Sequence, residues 1–158
     1  MGKLLLERKI KRNGYFFKPF AFDKAKNGKV ILLYQGKWKR WRPDQDGVAI
    51  EKNNRFLING RVPCSRKEWC VRYKPKRIIT EDNDRFFINE GKTLIYQGKW
   101  DDWDDYHDRL FIQKDDEILF CNKYGKDLVY AGEFIDWSCH LYGVIIQQED
   151  KLSLCVYR

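Results

Sequence analysis

One ten-residue phrase is written three times in this chain, and it limits the fold more than any single residue does. Leu32 to Trp41 reads LLYQGKWKRW, Leu94 to Trp103 reads LIYQGKWDDW, and Leu128 to Trp137 reads LVYAGEFIDW. A worn fourth copy, GRVPCSRKEW, keeps between Gly60 and Trp69 the interval that separates Gly91 from Trp100 and Gly125 from Phe134. The rings Trp38, Trp69, Trp100 and Phe134 therefore recur at steps of 31, 31 and 34. Self-similarity at a fixed period implies one supersecondary unit set beside its neighbours.

Within the phrase the period is two. Tyr96, Gly98 and Trp100 fall on one face of an extended strand, and Ile95, Gln97 and Lys99 on the other. Each copy has an apolar run before it (Phe20 to Asp23, Phe56 to Asn59, Phe86 to Asn89, Ile118 to Asn122). Another follows across a polar loop (Val48 to Ile50, Ile78 to Thr80, Leu110 to Ile112, Val144 to Ile146). The expected fold is all-β: one domain over 1–158, an antiparallel meander of four internal three-stranded repeats of about 31 residues, at 15–50, 51–80, 81–113 and 114–148. A last strand over 151–158, alternating at Leu152, Leu154 and Val156, is expected to pair with the N-terminal strand. That pairing closes the sheet as a barrel or a propeller-like ring and removes exposed edges. Residues 7–23 read as a hairpin turned at Asn13 and Gly14, with a helix over Lys3 to Arg12 as its rival.

The spacing Tyr34, Gly36, Trp38, Gly47 returns in Tyr130, Gly132, Phe134, Gly143, and it resembles the start of MORN repeats over about half of each unit. That family consists of stacked β-hairpins used mainly for protein association and, in some members, membrane contact. The resemblance implies a shared hairpin solution.

The net charge of +8 conceals a division. Residues 1–80 hold 22 Lys and Arg against 6 Asp and Glu, whereas residues 81–158 hold 9 against 17. A basic half of this size attracts phosphate backbones or acidic proteins. Its cations gather in two loops, Lys39 to Asp46 and Ser65 to Arg77, which equivalence within a stacked repeat would merge into one surface. The third unit inverts the sign: Asp101 to Asp108 holds five aspartates and His107. Such a run suits a hard metal or a carboxylate pair, but it lacks the glycine punctuation of a calcium loop and reads as a solvated acidic face or an internal partner for the basic loops. No metal and no cofactor is expected.

His140 stands beside Cys139, and adjacent strand residues point to opposite faces, which suits a nucleophile and base poorly. The five cysteines (Cys64, Cys70, Cys121, Cys139, Cys155) are odd in number and form no CxxC pair, so a reducing, cytoplasmic compartment and buried thiols are expected. Leu4 to Leu6 is too short for a signal core, and no apolar run spans a bilayer, so no membrane partner is expected.

No phosphate-cradling loop, zinc spacing or nucleophile elbow is present, which points away from an enzyme. The expected function is non-enzymatic recognition of nucleic acid or another phosphate-rich ligand. Arg40, Arg42, Arg66, Lys67, Arg72, Lys74, Lys76 and Arg77 are the phosphate contacts in this reading, and Trp41 and Tyr73 the stacking rings. The alternative is a protein-interaction or inhibitor module whose dipolar surface takes an acidic partner or a second copy. A third reading is an intracellular lectin using Trp41, Trp103 and Trp137, which lie three residues past the anchor rings and so on the opposite face of a regular strand.

Overall fold

A computed structural model of the chain describes residues 10–12, 15–17, 26–65, 69 and 78–158. Every element delimited among these residues is a strand. In chain order these are β1 (Ile10–Arg12), β2 (Tyr15–Phe17), β3 (Val30–Gln35), β4 (Arg40–Asp44), β5 (Gly47–Lys52), β6 (Arg55–Ile58) and β7 (Val62–Cys64). Then come β8 (Thr80–Asp82), β9 (Arg85–Ile88), β10 (Thr93–Gln97), β11 (Asp102–Tyr106), β12 (Arg109–Lys114), β13 (Glu117–Asn122) and β14 (Gly125–Ala131). The last three are β15 (Asp136–His140), β16 (Gly143–Gln147) and β17 (Lys151–Val156).

All pairings are antiparallel, and the contacts divide the chain into two compact units. Unit 1, Met1–Arg72 with Ile135–Arg158, holds the ribbon β1-β2 and the sheets β4-β5-β6-β7 and β15-β16-β17-β3. Unit 2, Tyr73–Phe134, holds the sheets β10-β9-β8 and β11-β12-β13-β14.

Three expectations are corrected. Each sheet ends in two edge strands, so the described residues form no closed barrel. The units are not three-stranded: the polar stretches Lys39 to Asp46, Asp101 to Asp108 and Phe134 to Tyr142 contain β4, β11 and β15. Their polarity hid them, yet each pairs along its length with the next strand through a tight reversal, as in Arg40↔Glu51 to Asp44↔Gly47 and Asp102↔Gln113 to Tyr106↔Arg109. Finally, β17 pairs with β3 rather than with the N-terminal hairpin, Lys151 opposite Gln35 and Cys155 opposite Val30. The described part of that hairpin pairs Arg12 with Tyr15 and Ile10 with Phe17, as expected. Phe20 to Asp23 and Pro19 lie outside the described residues.

The three phrases build the same turn. The hydroxyls of Tyr34, Tyr96 and Tyr130 donate to the carbonyls of Lys37, Lys99 and Glu133 at 3.1, 2.6 and 2.9 Å. Beneath each ring lies a glycine, Gly36, Gly98 or Gly132, at φ 141°, 144° or 142°. Those glycine N–H groups donate to the carbonyls of Asp150, Asp84 and Asp116 in the neighbouring hairpin turn, at 2.9, 3.0 and 3.0 Å. Just upstream each ladder slips by one residue, at Leu33, Ile95 and Val129. The bulge turns both that residue and the following Tyr toward the interior, so Ile95 and Tyr96 are both buried instead of alternating.

Each unit has its own apolar interior. In unit 2, Phe86 is fully buried, and the rings of Tyr96, Trp100 and Trp103 meet it edge-on at centroid distances of 5.9, 5.9 and 5.1 Å. Offset and edge-on pairs of this kind contribute about 0.5–1.5 kcal/mol each beyond burial. In unit 1, one cluster joins Leu33, Val48, Ile50, Ile145, Leu152, Leu154 and Val156, so β3, β5, β16 and β17 share an interior. A second gathers Ala49, Ile58, Val62, Cys64 and Trp69.

The turn predicts a glycine requirement. A Cβ on Gly36 would sit 2.8 Å from the Tyr34 hydroxyl, and one on Gly132 would sit 3.2 Å from that of Tyr130, both at positive φ. Gly36→Ala and Gly132→Ala are expected to cost about 1–3 kcal/mol each in urea unfolding. Gly143→Ala, whose Cβ would fall on the Cys155 carbonyl oxygen, is expected to leave little folded protein. Unchanged midpoints for Gly36→Ala and Gly132→Ala would remove the turn from this account.

Candidate nucleic-acid interface

Of the ten residues the sequence selects, Arg40, Trp41 and Arg42 lie on β4; Arg66, Lys67, Arg72, Tyr73, Lys74, Lys76 and Arg77 lie outside the described residues. On a strand Arg40 and Arg42 share one face and Trp41 takes the other. The Arg40 and Arg42 guanidinium carbons stand 5.3 and 4.8 Å from the centroid of the Trp69 ring, which is buried and leans on Phe56 at 4.9 Å. The worn copy thus contributes its anchor ring as a floor beneath two cations, an arrangement favourable to Arg because its flat, weakly hydrated head stacks on π-faces.

Arg40 is also tied down. Its Nε donates to Glu51 Oε1 at 2.5 Å, and Lys39 Nζ lies 3.8 Å from Oε2. Glu51 is buried at 7 % exposure, so these cations compensate a carboxylate that would otherwise be costly to bury. The Arg40 side chain remains 55 % exposed.

Trp41 takes a different place from an open stacking platform. It is half-buried against the Leu33 cluster, and its indole N–H donates to Gln147 Oε1 at 2.8 Å, joining β4 to β16. Trp103 is half-buried against Phe86, and Trp137 is buried at 6 %. The anchors Trp38, Trp100 and Phe134 are themselves only half-buried. The anchor lies in the coil just past Gly36, Gly98 or Gly132, whereas the second ring lies on the strand that follows, β4, β11 or β15, so three residues no longer mean opposite faces.

His140 braces the same region. Its Nδ1 accepts the Tyr142 N–H at 3.1 Å, which leaves the proton on Nε2 to donate to the Asp44 carbonyl at 2.6 Å. Both ring nitrogens hold backbone. Cys139 beside it is buried, on a strand whose adjacent side chains point to opposite faces.

The aspartates of β11 serve the backbone as well. Asp102 and Asp104 each accept the next residue's N–H, at 2.8 and 2.9 Å, and Asp101 accepts from Asp115 at 2.7 Å. Asp136 repeats the Asp102 arrangement with Trp137 at 2.8 Å. Among the described residues no three of His, Cys, Asp and Glu gather where they would hold a metal.

The charge division follows the units. Unit 1 holds 21 Lys and Arg against 9 Asp and Glu, a net of +12; unit 2 holds 10 against 14, a net of −4. Residues 1–25 and 66–77 contain 13 of the basic residues against 3 acids. Within the described part of unit 1, Lys52, Asn53, Arg55 and Leu57 line an open recess of about 460 Å3 at the β5–β6 turn. Lys52 Nζ also donates to the Tyr34 hydroxyl at 3.1 Å. Lys52 and Arg55 escaped the sequence reading because they stand outside the densest basic loops. Asn53-Asn54 marks the turn that brings them together, both at positive φ.

No protein-family model, no curated protein and no solved structure matches this chain. No helix of the described residues is long and apolar enough to cross a membrane.

The four described thiols are buried. Burial pushes Cys121 from 9.0 up to about 12, and it raises Cys155 in the same direction. The folded protein then keeps a proton that the unfolded chain releases. This share of the stability is complete below about pH 9 and is lost as pH climbs toward about 12, by at most about 1.4 kcal/mol per pH unit. Urea midpoints are expected to fall between pH 8.5 and 10, and Cys121→Ala is expected to flatten that fall. Trp41→Ala is expected to cost about 3 kcal/mol in the same assay, whereas a ring used only for ligand stacking would leave stability untouched.

Proposed function

We propose that this protein is a non-enzymatic binding module that recognises nucleic acid, or another phosphate-rich ligand, through the basic, aromatic-containing loops of its N-terminal half. The observation that carries this reading is the segregation of charge, 22 Lys and Arg against 6 Asp and Glu over residues 1–80 and 9 against 17 over residues 81–158. A cationic surface of this size releases condensed counterions when it meets a phosphate chain, and that release dominates such affinities. Arg42 and the exposed part of Arg40, seated on Trp69, supply a pre-positioned pair. Lys52 and Arg55 extend it to the β5–β6 turn, and Arg66, Lys67, Arg72, Tyr73, Lys74, Lys76 and Arg77 complete the proposed contact set.

The same reading takes the chain as four copies of one hairpin unit, working in the reducing cytoplasm. The recurring Tyr–Gly turns, with their matching bulges and hydrogen bonds, support a common origin for three of the copies. A second reading, association with an acidic protein or with another copy, is favoured by the opposite signs of the two units.

The discriminating experiment is a salt titration of binding to single- and double-stranded DNA and RNA. A variant with Arg66, Lys67, Arg72, Lys74, Lys76 and Arg77 changed to Ser is run beside the wild type. Each lost phosphate contact is expected to flatten the slope of log K against log salt by about 0.7–0.9. A salt-insensitive complex, or an equal slope in the variant, would count against the basic surface. Mass that grows by light scattering as salt is lowered, with no affinity for oligonucleotides, would favour self-association.

A further inference from the structure

Unit 2 carries a second, different recess. It measures about 310 Å3 and is lined by Leu94, Ile95, Tyr96 and Gln97 of β10 and by Asn122 to Lys126 at the β13–β14 turn. Its size is at the lower end of the range for small-ligand clefts, about 300–1,000 Å3.

The lining is chemically at odds with its surroundings. Unit 2 contains 14 Asp and Glu, and none of them lines this recess, whereas Lys123 and Lys126 both do. Tyr124 between them is 84 % exposed, the most open of the large apolar side chains of the described residues. Asn122 Oδ1 accepts the Tyr124 N–H at 2.8 Å, which fixes the backbone that presents the ring. Lys123 Nζ lies 5.0 Å from the Tyr124 ring centroid, and Lys126 Nζ lies 5.4 Å from that of Tyr96. The Tyr96 hydroxyl is held by the Lys99 carbonyl, so its ring forms a fixed wall.

An exposed ring, two ammonium groups and the side-chain amide of Gln97, which offers both donor and acceptor, match a ligand with three parts: a flat face, an anion and a hydrogen-bonding edge. We propose that this recess is a nucleotide site, in which Tyr124 stacks an unpaired base, Lys123 and Lys126 hold its phosphate, and Gln97 meets the base edge. The acidic surroundings select for a short anion: one phosphate between two lysines is attracted, and a long polyanion crossing unit 2 is repelled. Two sources share this chemistry, a free mononucleotide and the end of a single strand. The site stands on residues other than those of the proposed basic contact set.

The test is a chemical-shift titration of the full chain with AMP, with adenosine, with ribose 5-phosphate and with a hexamer of deoxythymidine. AMP is expected to move the amides of Gln97 and of residues 123–126 and to bind about tenfold more tightly than either fragment. Tyr124→Ala is expected to weaken AMP binding about tenfold, and Lys126→Gln to weaken it about threefold. Both residues are on the surface, so an unchanged spectrum of the free variants shows that the fold is kept. A hexamer that moves the same amides at lower concentration than AMP assigns the site to strand ends; a weaker one assigns it to free nucleotide. The proposal is overturned by AMP shifts elsewhere or none at all, by equal shifts from ribose 5-phosphate, or by the same shifts from hexaglutamate. The variant with six basic residues changed to Ser should bind AMP as the wild type does. If it loses the hexamer and keeps AMP, the two sites are independent; if it loses AMP as well, the assignment to this recess is overturned.

Discussion

A tyrosine hydroxyl that reaches back to a carbonyl three residues on is the contact around which this chain is arranged. It needs a glycine beneath the ring, because the backbone there is at positive φ in all three turns and a Cβ would crowd the phenol at Gly36 and Gly132. It also needs the one-residue slip that rotates the Tyr inward. With both in place, the strand carrying the Tyr ends as the outer member of one sheet, and the next residues start the first strand of another. Three such turns connect β3 to β4, β10 to β11 and β14 to β15.

The second theme is the use of polar side chains as fasteners. In unit 1, Trp41 with Gln147 and His140 with Asp44 tie β4 to β16 and β15, while Asn59 caps the β4–β5 reversal by donating to Asp46 and accepting from Val48, each at 2.9 Å. Glu51 is drawn under Arg40 and Lys39. Buried polar groups of this kind are costly alone and specific when paired, since a shifted register would strand every one of them.

The phrase itself announced the β class, the strands at Val30, Thr93 and Gly125 and the glycine turns, because alternation and repetition survive any context. The strands β4, β11 and β15 were harder to see. KRWRP and DDWDD look like loops by polarity, and only the ladder to β5 and β12 shows that their carboxylates and guanidinium groups are occupied along a strand. The burial of Trp137 and the half-burial of Trp41 were unreadable for a related reason: counting residues across a turn does not preserve faces. Arg40 was visible as a cation but not as the partner of Glu51, whose place opposite it depends on the reversal at Gly47. The recess of unit 2 joins Gln97 to Lys123 and Lys126 from strands distant in sequence, and no local pattern marks such a meeting.

The pairing of β17 with β3 has a temporal consequence. Val30 finds Cys155, and Gln35 finds Lys151, only once nearly the whole chain between them has been made. On the ribosome β3 therefore waits with an open edge and exposed Val30 and Leu32, a template for wrong partners during translation. Closing so long a loop is entropically slow relative to hairpin formation. The late-arriving strand acts as a latch, and until it engages, the nascent protein is most exposed to chaperones and to aggregation.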